Sequence, residues 1–305
     1  MKRKNNSLIE YIILGVLGTL VALTLVVPQL FRDRRPPRLL SLSVLLRDTD
    51  NSGWSAARQG MEQAADELGA ELRFLTLTLQ NDSREQEELL TRELDGGADA
   101  LVVVPADPEA LYAALLRQQT PCPVVTLESP MEGSAGLAAP DNALLGQKLA
   151  QALLEDWDGG TVVLLDTARG CSGVTARLEA AQETLEAAGV PVQRTDKLPG
   201  GGSQWVMAFD RAATQQAGEE KEAEGFAFAL YGVGATAAVT AQLERGTIAA
   251  LAAWSDYAAG YLAVRQAVET AQGEGRLLEP LSFSIVRGED IYAPENQKLL
   301  FPVTS

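Results

Sequence analysis

Histidine is absent from all 305 residues. That removes histidine-based nucleophilic triads, the commonest metal ligand and the usual proton shuttle near neutral pH. Cysteine is nearly absent too: Cys122 and Cys171 lie far apart in the chain, each where a small buried residue would serve, and two cysteines say little about redox compartment. Basic residues are scarce beyond residue 38, where 18 Lys and Arg face 39 Asp and Glu. A body that acidic is repelled by phosphate backbones, so nucleic acid is excluded as a partner. Carboxylates are plentiful, but no spacing singles out an acid and a base for glycoside chemistry. Neither catalysis nor a metal or other cofactor is indicated by any motif.

What is present begins at the amino terminus. Lys2, Arg3 and Lys4 precede an apolar run at 8–31, whose densest part is 11–27. That approaches the ~20 residues needed to cross a bilayer. The run ends in Val27-Pro28-Gln29-Leu30-Phe31 and carries no small-x-small cleavage site, so an uncleaved membrane anchor is expected, with a processed signal peptide as the alternative. Residues 1–7 would form a cytoplasmic tail and 32–38, with Pro36 and Pro37, a short stiff tether. Arg32, Arg34, Arg35 and Arg38 rival the three basic residues at the start, so the positive-inside rule leaves orientation to the nature of the body.

From Leu39 onward the chain alternates strand and helix, the pattern of parallel sheets covered on both faces. Strands are expected at 40–46, 74–79, 100–104, 124–127 and 161–165. Helices are expected between them, including one opened by a capping box at Ser83 and Gln86. The rhythm weakens after Val190, where strands at 190–194 and 205–209 are separated only by the Gly-rich stretch 198–203. A parallel crossover normally needs a dozen residues or more, so either a helix is lost here or one strand is misread. Strands near 226–233, 248–254 and 283–286 follow, with helices at 235–244 and 258–271. Gly232 to Ala238 imitate part of a dinucleotide fingerprint with too few glycines, and a tight turn is the better reading.

Four ordered stretches resemble the periplasmic sugar-binding family typified by ribose-binding protein. They are Asn51-Ser-Gly-Trp54 with the following EQAADELGAEL, EQEELLTRELDGGADALVVVPAD, APDNALLGQKLAQALLED, and LERGTIAALAAWSDYAAGYLAV. The fold is shared with the effector domains of LacI-type repressors, but no helix-turn-helix precedes this body. The resemblance implies an α/β type I periplasmic-binding-protein fold: two Rossmann-like lobes with parallel sheets, ligand held between them at the carboxyl ends of the strands, and hinge closure. By matching position, one lobe would hold 39–128 and 256–281, the other 129–255 and 282–305.

The same match nominates ligand contacts. Asn51 and Trp54, in the first strand-to-helix loop, would offer an amide and an indole face to a sugar ring, although a helix cap and a buried stripe would explain them equally. Asp107 would receive sugar hydroxyls, yet Asp before Pro108 is also a standard helix start. Arg177, or Thr175 by a different spacing, stands at the family's ligand-binding arginine; a surface ion pair is the plain reading of Arg177. Phe209-Asp210 replaces the usual Asn-Asp, and Trp254 stands where a Gln often reaches the ligand. The pocket therefore gains aromatic surface and loses amides. The function implied is an extracytoplasmic solute-binding protein that presents a sugar-like ligand to the membrane subunits of an ABC importer or to a sensor kinase. The alternative is a sensor or scaffold whose cleft is filled by Trp54, Phe209 and Trp254 packing on one another.

Overall fold

The computed structural model describes residues 14–17, 39–49, 52–118, 122–199 and 204–301. It separates into Met1–Leu39 and Leu40–Ser305. Of the expected membrane span at 8–31, only residues 14–17 are described, and they are helical; the rest, like Asn51, lies outside the described residues. Among the described residues no helix is long and apolar enough to cross a membrane.

The body is built on two sheets. In the first, β1 (Leu40–Leu45), β2 (Ala70–Leu75), β3 (Ala100–Val103), β4 (Val124–Leu127) and β5 (Gly136–Ala138) run parallel in the order β2-β1-β3-β4-β5. The second sheet contains β6 (Val162–Leu165), β7 (Val192–Thr195), β8 (Trp205–Ala208), β9 (Ala229–Val233), β10 (Ala250–Trp254) and β11 (Phe283–Arg287) in the order β11-β10-β9-β8-β6-β7. Only β11 is antiparallel to its neighbour. Central strands such as ALVV, VVTL and VVLL are buried at every residue. A parallel sheet covered on both faces demands such unbroken apolar runs.

Helices α1 (Ser55–Leu68), α2 (Ser83–Asp95) and α3 (Pro108–Leu116) cover the first sheet; α4 (Asn142–Asp156), α5 (Ser172–Ala187), α6 (Arg211–Glu224) and α7 (Ala237–Glu244) accompany the second. The next helix, α8 (Asp256–Ala271), follows β10 in the chain but packs in the first core, where Ala259, Ala263 and Val264 join Leu42, Val44 and Met61. The chain thus crosses between sheets more than once. Two of its crossing segments lie side by side, with Leu281 N donating to Ala139 O at 3.0 Å. A short α9 (Pro294–Leu300) closes the described chain.

Several local expectations shift. The second strand lies at Ala70–Leu75 rather than at 74–79. Asp82, not Ser83, caps α2 by accepting from Glu85 N, while Gln86 is buried and bonds Val104 O and Ala106 N. Both strands flanking the Gly-rich stretch are real and sit on either side of β6, and no helix lies between them among the described residues. The unforeseen helix is α6, which carries the β8-to-β9 crossover and ends at Gly225 in the left-handed conformation. Both cysteines are free, Cys171 buried and Cys122 half-buried.

The return of α8 requires close helix contact. A Cβ on Gly60 would stand 2.0 Å from Tyr257 O, and one on Gly260 2.0 Å from Ala57 O. Gly60→Ala is expected to lower unfolding free energy by about 2 kcal/mol, as overpacking commonly does. Denaturant midpoints check it, with the exposed Gln59→Ala leaving the midpoint in place.

Candidate functional site

The loops after the parallel strands meet where the two sheets face one another, and the side chains placed there are mostly charged. Arg47 follows β1, Glu128 follows β4, Arg211 opens α6 and Asp256 opens α8. All four are buried, as is Arg177 on α5. A buried charge is tolerated only with partners, so the pairing pattern defines the site.

Glu128 is the common partner. Its Oε2 accepts from Arg47 Nε at 2.8 Å, while its Oε1 lies 3.6 Å from Arg177 Nη1 and 3.9 Å from Arg211 Nη2. The backbone of Glu128 is left-handed, with φ of 64°, which is uncommon for a residue with a side chain. Its carbonyl is fixed by Asn142 Nδ2 at 2.8 Å, and Gly173 leaves room for that approach, since a Cβ there would come within 2.1 Å of the same oxygen. The turn is thus over-determined by its surroundings, as a strained residue must be to persist. Burial alone would raise the Glu128 carboxyl, but the charges of Arg47, Arg177 and Arg211 outweigh it and hold the group at about 2.

The arginines are held by more than charge. Arg47 Nη1 donates to Asn81 Oδ1 at 2.8 Å. Arg177 donates from Nε to Asn142 Oδ1 at 2.7 Å and from Nη1 to Phe209 O at 3.0 Å, and its guanidinium sits 5.0 Å from the Trp254 ring centre. Arg211 reaches across to the first sheet's side: Nη1 donates to Gly53 O at 3.2 Å and lies 3.6 Å from Asp256 Oδ2, with the guanidinium 3.8 Å from the Trp54 ring centre. Burial raises the Asp256 carboxyl, although Arg211 opposes that. Three atoms of this cluster remain buried without a hydrogen-bond partner: Glu128 Oε1, Arg177 Nη2 and Arg211 Nε.

The residues nominated from sequence fall into different places. Trp54, Arg177, Phe209 and Trp254 converge on this floor, and Asp210 borders it while capping α6 through Ala213 N at 2.9 Å and accepting from Thr167 Oγ1 at 2.9 Å. Arg177 is fully buried, which overturns the surface-pair reading. Asp107 caps α3 through Ala110 N at 3.1 Å and lines a separate surface cavity with Thr175 and Arg169. The three aromatic rings do not fill the cleft by packing together. Ring–ring contacts among the described residues lie elsewhere, and guanidinium groups occupy the faces of Trp54 and Trp254. Sequence reading missed Arg47, Glu128, Arg211 and Asp256. The available signal was a charged residue directly after an apolar strand, as in LSVLLR and VVTLE. No group of His, Cys, Asp or Glu suited to a metal ion occurs among the described residues. Burial pushes the Cys171 thiol up to about 12, so it is not a poised nucleophile.

Outside the ion-paired floor, a cavity of about 210 Å³ opens between the loop after β1 and the outer face of α6, with Trp54 and Arg211 in its wall. Two doubly wound α/β sheets joined by crossing segments, with converging strand ends, give the architecture in which a ligand is held between two sheets. The chain belongs to the periplasmic binding protein domain family, whose model matches residues 42–275. No curated protein matches in sequence. Solved structures of the same fold include an ABC transporter solute-binding protein from Agrobacterium vitis with bound D-fucose, at TM-score 0.73 and 15% identity over 86% of this chain and 100% of that one. A carbohydrate transporter solute-binding protein from Agrobacterium radiobacter in complex with D-arabinose gives 0.75 and 16% over 87% and 99%. A XylFII–LytSN complex contributes a third, at 0.70 and 15% over 83% and 100%. Family and neighbours are solute-binding proteins, not enzymes.

The Glu128 carboxyl sits well below its unfolded value, so its stabilising share is complete above about pH 4.5 and fades as pH falls toward about 2. Glu128→Gln is expected to cost about 3 kcal/mol near pH 7, because the arginines lose their shared counter-charge. Denaturant titrations at stepped pH should show the gap between variant and wild type narrowing below pH 4.5; a gap constant down to pH 2 contradicts the assignment.

Proposed function

We propose that the chain is a membrane-attached, extracytoplasmic solute-binding protein that captures a small sugar-like molecule between its lobes by hinge closure. The observation that carries this reading is the cavity walled by the Asp48 carboxylate and Trp54 from the loop after β1 and by the Arg211 guanidinium and its neighbours on α6. A hydroxyl can donate to the carboxylate and accept from a guanidinium at once, which makes polyols the fitting class. Sugar ligands in the neighbours from the two Agrobacterium species, and the family itself, support the same class.

The proposed lobes are 39–128 with 256–281, and 129–255 with 282–305. Packing of α8 in the first core and pairing of β11 with β10 support that division, whereas β5 pairs with β4 in the first sheet and moves the first crossing to beyond Ala138. For attachment, the apolar run at 8–31 supports a single span, and the binding-protein nature of the body supports placing it outside. The partner is then an importer's membrane subunits or a sensor kinase, and a neighbour solved as a complex with LytSN supports a protein partner.

A second reading has its own observation. Guanidinium groups cover the Trp54 and Trp254 faces on which a sugar ring would pack, so the cleft is occupied by the chain's own side chains. Under that reading the body is a sensor or scaffold that engages its partner without a small ligand. Calorimetry of the full chain against neutral pentoses, hexoses and nucleosides separates the two. Saturable binding with a raised Tm is expected; a flat response across the panel selects the self-occupied cleft.

A further inference from the structure

We propose that the ligand seat of this cleft lies outside the ion-paired floor, in the 210 Å³ cavity against α6, and that it takes an uncharged polyhydroxyl molecule while rejecting its acidic counterpart. The proposal rests on the solute-binding reading above and names the seat and ligand class within it. Asp48, Trp54 and Gln80 form one wall, and Arg211, Gln216 and Glu219 the other. The walls come from the two different sheets' loops and helices, so a molecule placed there would touch both lobes at once.

The floor is crowded by its own groups. Arg211 lies over the Trp54 ring at 3.8 Å and within 3.6 Å of Asp256, and Arg47 is spent on Glu128 and Asn81. A sugar ring cannot reach Trp254 or Arg177 without displacing these pairs. Chemistry further out is different. Asp48 is held as an acceptor by Trp54 Nε1 at 2.6 Å and Gln80 Nε2 at 3.0 Å, and two of the wall's side chains, Gln216 and Glu219, are exposed at the rim. Arg211 Nε, buried and without a partner, belongs to a residue of the inner wall. Amides and carboxylates of these walls offer the mixed donors and acceptors that hydroxyls use.

Charge sets the class. Two carboxylates, Asp48 and Glu219, face one guanidinium whose charge is already shared with Asp256 and Glu128. An anionic ligand would meet net negative charge in a partly desolvated space, where like charges repel most strongly. A neutral sugar meets only hydrogen-bonding groups.

The test titrates the full chain, by calorimetry, with D-fucose and D-galacturonate, which share ring stereochemistry and differ at C6 as methyl against carboxylate. The same pairing of neutral sugar with uronate is repeated for D-glucose and D-glucuronate. Three variants accompany it: Gln216→Ala and Glu219→Ala at the exposed rim, and Ala212→Phe, which fills the cavity that Ala212 lines. Neutral sugar binding that weakens about tenfold in Ala212→Phe and severalfold in the rim variants, at unchanged Tm, with no uronate binding, is the expected result. Neutral binding unaffected by all three variants overturns the seat and leaves the solute-binding reading standing. Uronate binding as tight as that of the neutral sugar overturns the class. Silence toward every sugar overturns the reading and the seat together.

Discussion

A single carboxylate placed just after β4 of the first sheet organises the centre of this molecule. Glu128 is buried among Arg47, Arg177 and Arg211, which arrive from a strand end of one sheet and from two helices of the other. None of these guanidinium groups could be buried alone, and Glu128 could not be buried without them. Its left-handed backbone is the means by which a residue of the loop between β4 and β5 turns its side chain inward. Asn142 and Gly173 hold that turn from α4 and α5, helices that accompany the second sheet.

The network also decides what the aromatic residues do. Indole faces at Trp54 and Trp254 are where a sugar-binding cleft would present apolar surface, and each instead carries an arginine. A guanidinium over an indole gains from the ring's electron-rich face and loses little flexibility, because its other donors are tied to Gly53 O, Asn142 and Phe209 O. The ligand-facing chemistry is thereby moved outward, toward Asp48 and α6.

Much of the fold could be read from the sequence because parallel strands buried on both faces leave runs such as LVVV and VVLL that nothing else explains. What escaped had weaker signals. Helix α6 buries only Arg211, Ala213, Thr214, Ala217 and Gly218 among many charges, so its apolar stripe is faint, although Asp210 and Gly225 mark its ends. Strand β2 alternates as AELRFL at the sheet edge, which blurred its boundaries. At the site, Trp54, Arg177, Phe209, Asp210 and Trp254 were nominated through the family resemblance, and each lies at or beside the buried cluster. Arg47 and Glu128 carried only the faint signal of a charge directly after an apolar strand, and in a chain with this many charges their burial together emerges from three-dimensional proximity. Asp107, equally prominent in sequence, serves as a helix cap at another cavity.

The dependence of the lobes on Glu128 is open to direct measurement through a double-mutant cycle of Glu128→Gln and Arg211→Gln, read as unfolding free energy near pH 7. The account predicts a coupling of about 1–3 kcal/mol between the two sites, since each substitution removes the other's counter-charge. Strictly additive effects would contradict it.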